Sequence, residues 1–288
     1  MVPMTNLEGP KLEGRVAVVT GGARGQGRAH ALALAAAGCD VAVWDIADPA
    51  AAPTVPYPLS ARADLDETVR LVEGTTGQRC LPVVADVRRT GDVDAAVAAT
   101  RAALGRIDIL VANAGVCSFA PVGEISDEMW DEMIATDLTG VFKPVRAVIP
   151  LMTEQRAGRI IATASMAGRM GMPNLAHYVA AKWGVIGFIK SVALEVAAHG
   201  ITANVVCPAT VDTDMVHNPP MYSLFCPGMA DPQREDVEPV YRRMNPMREP
   251  WLSPQDVSAA VAFLASDEAR FVSGTTLEVS MGGSAHLH

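Results

Sequence analysis

The sequence predicts an α/β fold: one domain on a doubly wound, mainly parallel seven-stranded sheet. Three observations carry this. Short apolar runs rich in β-branched residues, the pattern of strands buried on both faces, alternate with longer Ala- and Leu-rich stretches of helical character. Several helical stretches close on a glycine, as at Gly38, Gly105 and Gly200. The first strand runs into Gly21-Gly22-Ala23-Arg24-Gly25-Gln26-Gly27 and then a helix. Strands and helices alternating in this way build a parallel sheet covered on both faces, a Rossmann-type arrangement.

The elements follow in order. Residues 15–20 form the first strand, 26–37 a helix, and 40–45 the second strand, ending in Asp45. Residues 46–63 break the rhythm. They hold Pro49, Pro53, Pro56, Pro58 and Tyr57, and are too long for a plain strand-to-helix connection. This insertion leaves the ligand side of such a sheet. It reads either as a lid over the adenosine end of a nucleotide or as a surface excursion. A helix over 64–76 follows, with Asp64 as candidate N-cap. Then come a strand over 79–86, a helix over 92–104 and a strand over 107–112. One long helix is expected over 126–156, bent or split at Pro144 and Pro150. A strand over 158–164 delivers Ser165, a helix spans 174–199, and a sixth strand spans 201–207. Residues 214–250 look least regular and read as a cover for an apolar substrate or as a surface subdomain. Ser253 and Pro254 start a helix running to about 264, and 275–279 form the seventh strand. No composition shift marks a second domain, so 1–288 is expected to be a single Rossmann-type domain.

Composition narrows the function. Of the 288 residues, 50% are hydrophobic and 19% charged, which supports a sizeable core and argues against global disorder. The net charge of −9 argues against nucleic acid or an anionic membrane as a bulk partner, since both need a basic face. Cys39, Cys80, Cys117, Cys207 and Cys226 are odd in number, with no C-x-x-C pair, and read as reduced thiols in a cytoplasmic protein. Residues 1–10 lack the pattern of a signal peptide, and no apolar run approaches the ~18 residues of a membrane span.

The chemistry gathers at the strand ends. Gly21, Arg24, Gly25, Gln26 and Gly27 form a turn in which the backbone can approach an anion, with helix N–H groups aimed at it. Glycines alone also fit an ordinary turn. Asp45, ending the second strand, suits the ribose hydroxyls of a dinucleotide and repels a 2′-phosphate, which points to NAD over NADP. Arg24 and Arg28 are the counter-evidence, although they also read as solvated helix-end arginines. Asp86, before Val87, could accept from an adenine amino group or cap the next helix. Asn113-Ala114-Gly115 would let backbone pack beside a nicotinamide ribose. Tyr178 and Lys182, four apart on one helix face, pair a phenol with an ammonium that lowers its pKa, so the phenol can act as a base. Ser165 could hold a substrate oxygen against that phenol.

With Thr20-Gly21-x3-Gly25-x-Gly27, Asn113-Ala114-Gly115, Ser165 and Tyr178-x3-Lys182 in this order, the chain resembles the short-chain dehydrogenase/reductase family from about Leu12 to Gly283. The resemblance implies that Tyr178 is the general base for alcohol oxidation and the acid for ketone reduction. It implies that Lys182 binds the nicotinamide ribose and that Ser165 binds the substrate oxygen. It also implies that Pro208, Val211 and Thr213, in a segment like the family's Pro-Gly-x-Val-x-Thr, flank the carboxamide. Two departures stand out. Asp137 replaces the Asn that usually precedes Leu-Thr-Gly, and an ionised Asp137 would offset part of the lysine's effect on Tyr178. Ala209 replaces the usual Gly.

A narrower likeness rests on the Pro-rich insertion leading to Leu65-Asp66-Glu67-Thr68-Val69, on Met221-Tyr222-x-Leu224-Phe225, and on Ala265-Ser266-Asp267-Glu268-Ala269-Arg270. These resemble the mycofactocin-coupled, carveol-dehydrogenase-like branch of the family. That branch implies tightly held NAD and a separate redox carrier, mycofactocin. The family resemblance also implies a homotetramer or dimer. Phe119, Met166, Met170, Met172, Met215, Tyr222 and Phe225 are the expected apolar pocket, for a cyclic terpenoid or steroid-like alcohol or its ketone. The rival readings are an NADPH-dependent 3-oxoacyl-type ketoreductase and a nucleotide-binding regulatory protein without turnover.

Overall fold

The computed structural model describes residues 11–286. Seven parallel strands form one sheet in the order β3-β2-β1-β4-β5-β6-β7. They are β1 (Val16–Thr20), β2 (Asp40–Asp45), β3 (Cys80–Val84), β4 (Ile109–Ala112), β5 (Gly158–Thr163), β6 (Ile201–Pro208) and β7 (Thr276–Val279). The helices are α1 (Gly25–Ala36), α2 (Arg62–Thr76), α3 (Thr90–Leu104), α4 (Asp127–Ile134), α5 (Gly140–Gln155), α6 (Ala176–Val196), α7 (Pro219–Phe225), α8 (Arg234–Met244) and α9 (Pro254–Ala265). The sheet is entirely parallel. Pro82 sits in β3, an edge strand, where a missing N–H is tolerated.

Alternation along each central strand splits the core in two. Val18, Ala42, Leu110, Ile160 and Val205 face α3, α5 and α6. Ala17, Val19, Val41, Ile109, Val111 and Ile161 face α1, α2 and α9. Both faces are therefore dry, which explains the near-continuous apolar runs. The chain reverses direction across the sheet between β1 and β4, and a groove opens above that point at the strand C-termini. Among the described residues, no helix is long and apolar enough to cross a membrane.

Three elements differ from the sequence expectation. The long helix over 126–156 divides, but not at its prolines. Pro144 and Pro150 both lie inside α5, and the break is a π-helical turn over Ala135–Thr139. A wider π turn inserts a residue and re-aims its neighbours, a feature common at functional sites. Asp64 is not an N-cap. It lies in the first turn of α2 and accepts the Ala61 N–H (2.7 Å) from inside the helix. Residues 214–250 are more regular than expected, since they contain α7 and α8. Asn218 caps α7, accepting from the Met221 N–H (3.0 Å) ahead of two prolines.

Candidate active site

The glycine turn is built for close approach. Gly21 and Gly25 adopt left-handed φ of 64° and 55°. A Cβ on Gly27 would fall 1.9 Å from the Gly21 carbonyl oxygen, so no side chain fits there. Behind the turn, Thr20 Oγ1 accepts the N–H groups of Asn113 (2.9 Å) and Ala114 (3.0 Å). Asn113 Nδ2 donates to Thr20 O (3.1 Å), and the Thr163 hydroxyl donates to Asn113 Oδ1 (3.2 Å). The ends of β1, β4 and β5 are thus stitched together by two threonines that the sequence reading did not single out for this role.

Above them lies a cavity of about 440 Å³. Gly21, Arg24, Gly25, Gln26, Gly27, Asp45, Asp86, Val87, Asn113, Ala114, Gly115, Thr213 and Met215 line it. It has an acidic end at Asp45, a glycine cradle at the start of a helix, and small residues at 113–115. That sequence of features fits an extended dinucleotide. Pro208 ends β6 and Val211 packs in the core beside Leu252, and neither lines the cavity itself.

Asp45 is buried. Its Oδ2 accepts the Ala23 N–H (3.0 Å), and its Oδ1 accepts the Ala47 N–H (3.1 Å) and the Ser60 hydroxyl. Both nearby arginines are half-exposed and also bonded within the chain. Arg28 donates to Ala23 O, Thr68 Oγ1 and Asp64 O. Arg24 donates to Pro58 O (2.6 Å) and pairs with Asp214 (2.9 Å). Both guanidinium groups thus have protein partners, and both side chains line the cavity. Burial pushes the Asp86 carboxyl up, but the Arg88 side chain and N–H together hold it below the usual carboxylate range.

The π turn positions the charge centre. Asp137 Oδ2 lies 2.9 Å from Lys182 Nζ, with side-chain exposures of 0% and 4%. Asp137 Oδ1 accepts the Val116 N–H (2.8 Å), and Lys182 Nζ donates to Thr163 O (3.2 Å). Gly115 leaves the necessary room, since a Cβ there would sit 2.9 Å from Asp137 Oδ2. Burial raises the Asp137 carboxyl pKa, against the Lys182 cation and the Val116 N–H. Lys182 Nζ lies 5.5 Å from the centre of the Tyr178 ring. Burial pushes the Tyr178 phenol well above its usual value, and Cys117 and Asp137 add to this, while a hydrogen bond with Ser165 opposes it. Ser165 also accepts the Ala167 N–H (3.1 Å), which fixes the turn after β5. Ser165, Tyr178, Lys182 and Asp137 therefore gather beside Gly115, which itself lines the cavity.

The insertion reaches further than the adenosine end. It starts at Asp45, but Tyr57 is buried among Val116, Met133 and Ala181, against Tyr178 and Met215. Thr54 donates through both its N–H (3.0 Å) and its hydroxyl to Glu132 Oε2 on α4. Tyr57 and Glu132 are contacts the sequence did not reveal. The apolar pocket is gathered only in part. Phe119, Met172, Met215 and Phe225 cluster with Cys117, Leu175, Met221 and Tyr178. Met166 packs instead in the core with Ile186. Met170 is exposed. Tyr222 joins Val237 and Tyr241, with its hydroxyl 2.9 Å from His217 Nδ1.

This constellation defines a dinucleotide-linked oxidoreductase of the short-chain type. The family model described as short chain dehydrogenase matches residues 15–220, and the chain belongs to that family. The (−)-trans-carveol dehydrogenase of Rhodococcus erythropolis is 39% identical over 274 residues, covering 94% of this chain and 98% of that protein. The 3-oxoacyl-[acyl-carrier-protein] reductase of Escherichia coli is 36% identical, covering 94% and 97%. The crystal structure of carveol dehydrogenase from Mycobacterium avium in complex with NAD superposes with a TM-score of 0.92 at 40% identity, covering 96% of this chain and 99% of that one.

Proposed function

We propose that this chain is an NAD-dependent alcohol dehydrogenase that interconverts an apolar secondary alcohol, of cyclic terpenoid or steroid-like type, and its ketone. The observation that carries this is Tyr178 with Lys182 beside Gly115, Val116 and Met215, residues that line a cavity running to the Asp45 carboxylate. Bound there, NAD supplies the nicotinamide that exchanges a hydride with the carbinol carbon. The chain's residues handle position and protons. Ser165 holds the substrate oxygen, and Tyr178 takes its proton in oxidation or returns it in reduction. Lys182 stabilises the phenolate, and Asp137 sets how strongly it does so. Thr213 and Asn113 flank the nicotinamide end, and Asp45 the adenosine ribose.

The carveol dehydrogenase likeness supports the apolar substrate, and the cluster around Phe119, Met172 and Phe225 suits one. The four anchors of the insertion, at Asp45, Arg24, Cys117 and Glu132, support a tightly held NAD reoxidised by an external carrier such as mycofactocin. Exposed Trp130, Phe142 and Trp183 on α4–α6 support self-association into a dimer or tetramer. The test is to denature freshly purified protein and identify the released nucleotide by mass, then assay carveol oxidation. Near-stoichiometric NAD is expected. Bound NADP would favour the ketoreductase reading suggested by the Escherichia coli relative, which the Asp45 charge opposes.

A further inference from the structure

The insertion places a second phenol in the cavity wall, packed in one cluster with Tyr178. Tyr57 is 9% exposed, and its ring packs against Val116, Met133 and Ala181 with Tyr178 and Met215 alongside. Its oxygen accepts the Cys117 N–H (3.0 Å), just beyond the Asn113-Ala114-Gly115 segment. That bond uses the oxygen as an acceptor. Its own proton meets no acceptor among the described residues, so it is free for a ligand. Tyr57 also lines the cavity together with Gly115, Val116, Thr213 and Met215. The ring is held from both sides: Thr54 is tied to Glu132, and the Pro58 carbonyl accepts from Arg24 (2.6 Å). A wide aromatic group fixed this firmly in a loop is not a surface excursion.

We propose that Tyr57 is a positioning residue for alcohol oxidation. Its ring is the wall that keeps water from the reaction chamber, and its O–H is a donor to the substrate held there. This rests on the dehydrogenase reading above. A residue 121 positions before Tyr178 in the chain thus completes the chamber around it.

The test compares Tyr57→Phe with Tyr57→Ala, using NADH as the probe and acrylamide as a collisional quencher of its bound fluorescence. Tyr57→Ala is expected to raise quenching at least ~3-fold and to raise KM for a cyclic alcohol ~10-fold with little change in kcat, as lost ring burial implies. Tyr57→Phe keeps the ring, so it should keep the shielding, while KM rises ~5-fold for the lost hydrogen bond. The split between ring and hydroxyl, and between KM and kcat, is what a merely structural role would not produce. Quenching in Tyr57→Ala equal to the parent would overturn the inference alone. A parent protein that neither co-purifies with a nicotinamide nucleotide nor binds added NADH would overturn the dehydrogenase reading, and this inference with it.

Discussion

Asp137 Oδ2 and Lys182 Nζ stand 2.9 Å apart, and neither side chain reaches solvent. A carboxylate here can do what an amide cannot: when ionised, it opposes the lysine's charge beside Tyr178. Asp137 is also one of the groups that push the Tyr178 phenol up, after burial and Cys117. The other groups facing this pair are Cys117, on the loop after β4, and Tyr57. Alcohol oxidation needs the phenolate, so its rate rises as pH climbs through the Tyr178 pKa. Asp137→Asn leaves Lys182 unopposed and brings that pKa down. The rising limb of kcat/KM against pH should therefore move to lower pH. A profile that stays in place would show that the carboxylate charge does not reach the phenol.

Tyr178 and Ser165 divide the proton work. Tyr178→Phe removes the only group proposed to accept the substrate proton but leaves the glycine cradle and Asp45 untouched. Turnover should fall ~10²–10⁴-fold, the usual range for losing a general base. NADH binding, followed by fluorescence titration, should change less than ~3-fold, because the cradle and ribose contacts carry most of it. Ser165→Ala should lower turnover by a smaller factor. Equal activity of Tyr178→Phe and the parent with every alcohol tried would favour a nucleotide-binding protein without turnover.

The latch between Thr54 and Glu132 makes a separate prediction. Two donors from the insertion converge on one Glu132 oxygen, and Arg88 Nη1 lies 3.6 Å from the other. Hydrogen bonds to a charged acceptor contribute about 1.5–3 kcal/mol each. Glu132→Ala should release the insertion without disturbing the sheet, so nucleotide should leave ~10–100-fold faster. Stopped-flow displacement of bound NADH measures this. An unchanged release rate would mean that the insertion does not gate the cofactor.

Much of the fold, and the candidate site residues that it brings together, could be read in the sequence, for physical reasons. Strands buried on both faces write themselves as apolar runs. The glycine turn, Asp45, Ser165 and Tyr178 with Lys182 lie at strand ends or on one helix turn, so short-range spacing specifies them. The π turn left no such mark: Pro144 and Pro150 suggested the break, whereas the wider turn at Ala135–Thr139 has no proline at all. The path of the insertion was also hidden, because its anchors lie far off in the chain. Tyr57 meets Cys117 and Thr54 meets Glu132, and composition cannot report either pairing. The helices within 214–250 did leave a signal in Asn218-Pro219-Pro220, a capping residue ahead of prolines suited to a first helical turn.

The last prediction concerns the frame that carries the site. His30 on α1 is fully buried, with its Nδ1 2.8 Å from Ser258 Oγ on α9. Burial lowers its pKa from 6.5 to about 3, so the folded protein keeps it neutral. The unfolded chain binds a proton near pH 6.5, and the folded one only near pH 3. Between these values the unfolded state carries the extra proton, and stability therefore falls as pH drops. The slope approaches about 1.4 kcal/mol per pH unit. At neutral pH and above, the group exerts no such effect. His30→Gln retains a partner for Ser258 but cannot take up the proton. It should flatten Tm against pH across that window, read by calorimetry, while leaving NADH binding at neutral pH unchanged. If the variant lost stability on acidification as steeply as the parent, His30 would not be the source of the acid sensitivity, and Asp86 and Asp267, carboxylates held down by Arg88 and Arg15, would be the next groups to test.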